Sequence, residues 1–264
     1  MQLSIRYVTE YAYDGTVTDN LNTLRAQPAQ TRYQRLDDYG VRIEPEARVQ
    51  SHSDYYGTQV LEFGVAKPHD HLSVDVRARV VTTPPDLPPE PEWAALATPE
   101  YRAAGVEYLL PWPGDPRDPR VDDLVAAVRR DTPLETIRAV AETIPDRFEY
   151  KPGVTFVGST IEDLLDEGAG VCQDFTHLAL LLLRRNGIAA RYVSGYLYAP
   201  SDDAPDDSAE VDTHAWVEAM LPGVGGDSFD PVWVGLDPTN RCLTWDNYVK
   251  IGHGRTYGDV PPIK

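Results

Sequence analysis

Residues Gly168–Gly187 read GAGVCQDFTHLALLLLRRNG, and the rest of the chain is organised around them. The broken turn Gly168-Ala169-Gly170 leads to Cys172, where a helix is expected to start. Ala179, Leu180, Leu181, Leu182 and Leu183 make that helix apolar nearly all round, the pattern of a helix buried on every side. Arg184 and Arg185 fall in its last turn, where cations suit the negative end of the helix dipole. Gly187 follows as a left-handed stop. Cys172 thus stands at a helix N-terminus, where unpaired amides and the positive dipole end favour an anion, and a thiolate is one. On these residues alone, a nucleophile and a buried structural cysteine remain equally open.

Downstream of Gly187 the period changes to two. Ala190, Tyr192, Ser194, Tyr196 and Tyr198 oppose Arg191, Val193, Gly195 and Leu197, as in a strand. An acidic, proline-bearing loop follows over Pro200–Glu210. Thr213–Leu221 (THAWVEAML) reads as a second strand, and Val232–Leu236, after the glycine-rich loop Gly223–Gly226, as a third.

Upstream the pattern is helical. Val121, Leu124, Val125 and Val128 follow i, i+3, i+4, i+7. Thr132-Pro133-Leu134-Glu135 forms a capping box with proline at the first helical position, and Leu134, Ile137, Ala141 and Ile144 continue that helix. Ser159-Thr160-Ile161-Glu162 gives another capped start. Helices followed by strands describe an α+β unit over residues 119–264.

Thr82–Trp93 (TTPPDLPPEPEW) is too rich in proline for helix or central strand. Residues 82–118 are therefore expected to be a stiff linker and a packed connection. Before it, residues 1–81 alternate. Leu3, Ile5, Tyr7, Thr9, Tyr11 and Tyr13 share one face of a strand. Runs Val41–Val49, Gln59–Val65 and Leu72–Val80 give further strands, with turns at Asp14-Gly15, Tyr39-Gly40, Tyr56-Gly57 and Lys67–Asp70. This region reads as an antiparallel β unit of sandwich type, and His69 and His71 as residues of a solvated turn.

Composition narrows the function classes. A net charge of −18 argues against nucleic acid and anionic membrane as partners. No apolar run reaches the roughly 20 residues of a membrane span, and the N-terminus MQLSIRYVTEY lacks the pattern of a secretory signal. Two cysteines, Cys172 and Cys242, cannot build a disulfide framework; they could form one bridge, but with no secretory signal a reducing cytoplasm is expected. No metal or cofactor is expected, since the Cys and His spacings match no zinc pattern. Cys242 reads as a small core residue.

The strand Thr213–Leu221 carries His214, and the strand Val232–Leu236 runs into Asp237. A thiol nucleophile needs an imidazole within hydrogen-bond reach, and that imidazole needs a carboxylate or amide on its other nitrogen. Cys172, His214 and Asp237 supply those parts in that order. Asp230, also before a proline, is the rival for the third position.

Three separated motifs carry a resemblance. Gly170-Val171-Cys172-Gln173-Asp174-Phe175, His214-Ala215-Trp216-Val217-Glu218 and Asp237-Pro238-Thr239-Asn240 resemble the bacterial transglutaminase-like superfamily. Residues 1–81 resemble the β-rich N-terminal region of one bacterial branch, and Gly254–Pro262 its closing segment. The resemblance implies a papain-like core with a buried helix against an antiparallel sheet, and Cys172, His214 and Asp237 as a Cys-His-Asp triad. It implies thioester chemistry on a peptide or protein carboxamide, released to an amine or to water. Two features depart from the family pattern: the family usually continues with a further strand where this sequence stops at Lys264, and Gly223–Pro231 reads as an insert. A non-catalytic peptide-binding module on the same scaffold is the alternative.

Overall fold

The computed structural model describes residues 1–86, 88–199, 213–223 and 229–264. The expected Pro200–Glu210 loop, and all of the glycine-rich loop after Gly223, lie outside them. The first part contains β1 (Gln2–Val17), β2 (Asn20–Leu24), β3 (Gln34–Glu44), β4 (Arg48–Ser53), β5 (Gln59–Val65) and β6 (His69–Thr82). They form two antiparallel three-stranded sheets, ordered β1-β6-β3 and β2-β5-β4. Alternation holds along most of β1: Leu3 and Tyr7 are buried, while Ser4, Arg6 and Glu10 face solvent. Tyr11, expected on the inner face, is exposed.

Several local expectations are corrected. Asp14-Gly15 and Tyr39-Gly40 lie within β1 and β3, so neither is a turn between strands. The single run Val41–Val49 is two strands in different sheets, parted around Pro45, because proline has no N–H for the ladder. His69 is buried, bonded by Asn20 Nδ2 at 3.0 Å and the Lys67 carbonyl at 2.8 Å, and is not part of a solvated turn.

The stretch after β6 holds three short helices, α1 (Trp93–Leu96), α2 (Pro99–Ala104) and α3 (Val106–Leu109). Tyr101 ties it to the core: its fully buried hydroxyl donates to the Met220 carbonyl and accepts from the Ala189 amide, both at 2.9 Å. Next come α4 (Pro119–Val128), α5 (Pro133–Arg147), β7 (Glu149–Tyr150), α6 (Ile161–Glu167), β8 (Ala169–Gly170) and α7 (Cys172–Arg185). The capping box at Thr132 and Glu135 is present, and Thr160 caps α6. Gly187 ends α7 with a φ of 80°, a conformation that suits a residue without Cβ.

The chain closes with β9 (Ala190–Leu197), β10 (Thr213–Pro222), β11 (Pro231–Asp237), β12 (Cys242–Leu243) and β13 (Tyr248–Gly254). These make one antiparallel sheet ordered β12-β11-β10-β9-β13. Helix α7 lies between this sheet, at β9 and β10, and helices α4 and α5. Being enclosed from both sides is why Leu178–Leu183 are all buried. No helix among the described residues is long and apolar enough to cross a membrane.

The amino-terminal sheets share a core with the larger sheet. One apolar cluster joins Leu3, Tyr7, Phe63 and Val74 to Tyr196, Val249 and Ile251. The backbone is joined as well: Ala29 N–H and Gln34 Nε2 both donate to the Lys250 carbonyl at 2.8 Å, and Lys250 N–H donates to Gln34 Oε1 at 2.8 Å.

Candidate active site

The start of α7 is fixed by Asp174, whose buried carboxylate accepts from the Val171 amide at 2.8 Å and the Thr155 hydroxyl at 2.6 Å. A carboxylate at this position satisfies an otherwise unpaired first-turn donor and suits the helix dipole. In the sequence Asp174 stood only as part of a quoted motif. Its contact with Thr155, nineteen residues upstream, has no local signal. Gly170 passes close by: a Cβ there would lie 2.8 Å from Asp174 Oδ2. Cys172, half-buried, is thereby held at the first helical position.

His214 and Asp237 come together through strand pairing. Strands β10 and β11 are antiparallel with Val217 opposite Leu236, and β10 also pairs with β9, placing His214 opposite Gly195. The His214 Nε2 lies 2.6 Å from Asp237 Oδ2. Cys172 lies close enough to the His214 ring to favour its charged form as well. The three expected residues are thus brought near one another. Asp230 is exposed just before β11, and it is Asp237 that bonds His214.

Asp237 is fully buried and richly bonded. Its Oδ2 also accepts from Tyr248 OH at 2.8 Å and Asn240 Nδ2 at 2.7 Å. Its Oδ1 accepts from the amides of Thr239 at 2.8 Å and Asn240 at 3.2 Å. Burial alone would raise its pKa, but the bonds and charge of His214, with Asn240 and Tyr248, hold it below the usual carboxylate value. Burial likewise opposes a charge on His214. The hydrogen bonds and charges of Asp237 and Cys172 outweigh it and push the imidazole up to about 9.

Aromatic rings frame the imidazole. Trp216 stacks near it at 6.3 Å and 29°, and Tyr248 lies tilted at 6.3 Å. Trp216 in turn covers Gly195, where a Cβ would fall 2.4 Å from the indole. Tyr248 also hydrogen-bonds Cys242 Sγ at 3.4 Å. Tyr248 was invisible in the sequence because β13 has no clean alternation. Asn240 lies in a motif quoted above, but no role was read for it.

Glu218, four residues beyond His214, belongs to a separate buried cluster. Its Oε2 accepts from Arg191 Nη2 and Lys250 Nζ, each at 2.6 Å, while Arg191 lies 3.8 Å from the centre of the Trp233 ring. Against burial, Arg191 and Lys250 hold the Glu218 carboxyl at about 2. His177, further along α7, accepts from the Tyr257 amide at 3.2 Å. Burial, and next the charge of Arg184, lower its pKa to about 4. Among the described residues no group of three His, Cys, Asp or Glu side chains is arranged to hold a metal.

An α+β scaffold that aligns a thiol, an imidazole and a buried carboxylate defines a class of thiol-based catalytic folds. The model of the transglutaminase-like superfamily core matches residues 122–238, and that of the bacterial transglutaminase-like N-terminal region matches residues 3–81. The chain belongs to the transglutaminase-like superfamily. An uncharacterized protein of Mycobacterium leprae is 32% identical over 269 residues, spanning 100% of this chain and 92% of its own length. A protein-glutamine gamma-glutamyltransferase of Pseudomonas aeruginosa is 28% identical over 135 residues, 49% of this chain and 19% of that protein. The fold is similar to a crystal structure described as a candidate cysteine protease from Cytophaga hutchinsonii. The TM-score is 0.74 and the identity 21%, covering 100% of this chain and 85% of that one.

Proposed function

We propose that this chain carries out thiol-dependent acyl transfer or amide hydrolysis on a peptide or protein carboxamide, with Cys172, His214 and Asp237 as its triad. The observation that carries the reading is the buried Asp237 carboxylate 2.6 Å from His214 Nε2, with Cys172 beside the same ring. The Cys172 sulfur attacks the carbonyl carbon, its proton having passed to His214 Nδ1. The tetrahedral oxyanion forms at the start of α7, where first-turn amides lack intrahelical partners. As the C–N bond breaks, His214 returns the proton to the leaving amine, giving a thioester on Cys172. Water or an acceptor amine, deprotonated by His214, then releases the acyl group. Asp237 holds the ring in the tautomer that keeps Nδ1 toward sulfur. The glutamyl transfer in the name of the Pseudomonas relative supports a carboxamide as acyl donor. The same reading places the protein in the cytoplasm, where two free cysteines stay reduced.

The test is mass spectrometry of the protein incubated with glutamine-containing peptides, beside the Cys172→Ala variant. The expected result is a peptide adduct on Cys172, lighter by ammonia than the free peptide, and a thiol that iodoacetamide labels in the wild type. A Cys172 inert to iodoacetamide and free of adduct would overturn the reading in favour of a peptide-holding module.

A further inference from the structure

At the far end of α7, about 18 Å from Cys172 by helical rise, a cavity of about 480 Å³ opens between α1, α3 and the end of α7. Trp93, Val106 and Leu109 supply apolar wall, and Arg102, Arg129 and Arg184 line it too. Three guanidinium groups around one cavity are unexpected in a chain of net charge −18. Arg102 and Arg129 have no carboxylate within 4 Å among the described residues. Arg129 is pinned over the Trp93 ring, 3.2 Å from its centre, and bonds Asn186.

Arg184 is the decisive residue. Its side chain is only 6% exposed, and one nitrogen, Nη2, bonds Asp115 at 3.2 Å. Its Nε and Nη1 are buried with no hydrogen-bond partner. Burying charged donors unpaired is costly, and an acceptor with negative charge removes that cost. Guanidinium N–H groups are strong donors to the oxygens of a carboxylate or phosphate. The volume falls in the range of small-molecule sites, and part of the lining is apolar.

We propose that this cavity binds a small organic anion, its carboxylate or phosphate head on Arg184, with Arg102 and Arg129 alongside, and a short apolar body against Trp93, Val106 and Leu109. The site is separate from the triad and needs none of its residues.

Isothermal titration calorimetry of the whole protein with octanoate, octyl phosphate and inorganic phosphate tests this. One of the two amphiphiles is expected to bind one to one, roughly tenfold or more tighter than inorganic phosphate; the tighter one identifies the head group. Arg102→Glu reverses a charge on an exposed side chain, and Val106→Trp fills the cavity from a position 54% exposed. Each is expected to weaken that binding roughly tenfold or more with the thermal melt unchanged. Arg184→Gln should abolish it; should that variant not fold, the other two decide. The proposal is overturned if neither amphiphile binds, if inorganic phosphate binds as tightly, or if either surface variant keeps wild-type affinity.

Discussion

Replacing Asp237 with asparagine removes the charge that keeps His214 protonated while preserving the size of the side chain. A rise of the imidazole from 6.5 to about 9 corresponds to roughly 3 kcal/mol in favour of the cation. That gain survives a burial penalty acting the other way, so most of it depends on the carboxylate 2.6 Å away and on Cys172. In Asp237→Asn burial acts with less opposition, and the imidazole is expected to titrate about two pH units lower or more. NMR of the His214 ring proton between its nitrogens reads this directly, with His214→Gln providing the assignment. Stability should follow. A folded-state value above the unfolded one contributes fully below about pH 6.5 and is lost as pH rises through about 9. Urea unfolding of the wild type should therefore lose roughly 3 kcal/mol across that window, and the variant much less. Acyl transfer should fall by about 10²–10⁴-fold, the usual worth of a positioned acid–base group. A wild-type midpoint at or below 6.5, or a midpoint that Asp237→Asn leaves unmoved, would refute the reasoning.

Glu218→Gln should destabilise the fold by about 3–5 kcal/mol, because Arg191 and Lys250 would remain buried without their counter-charge. Urea unfolding measures it, and an unchanged midpoint would mean that these cations find solvent without Glu218. Gly195→Ala should cost about 1–3 kcal/mol, since the added carbon would lie 2.2 Å from the Val249 carbonyl and 2.4 Å from Trp216. It should also broaden or shift the His214 ring signal, because Trp216 stacks beside that ring; a variant matching the wild type in both measurements would show that the sheet yields freely there.

The parts of this molecule that could be read from sequence are those whose signal is local. Helix α7 announced itself through its leucine run, its terminal arginines and Gly187, and α4, α5 and α6 through period and caps. Cys172, His214 and Asp237 stood out because each lies in a short motif on an element of clear type, and the structure brings the three together. Long-range partners stayed hidden. Nothing near Asp237 signals that Tyr248 will donate to it, nor does the His214 strand reveal that Glu218 will meet Lys250 across the sheet, since register is set by the assembled sheet. Strand β2 was missed because Asn20, Asn22 and Thr23 leave no apolar alternation to detect. The Val41–Val49 run misled for the opposite reason: its alternation continues through Pro45, where the ladder cannot.

Strand β13 forms one margin of the five-stranded sheet, and such a margin is an invitation to any other chain with a free strand. Here Ala29 and Gln34 occupy it at Lys250, and the amino-terminal sheets cover Tyr196, Val249 and Ile251. They act as a sheath for the sheet that carries His214. A chain trimmed to the helices and the last five strands would leave that seam open to solvent and to other strands.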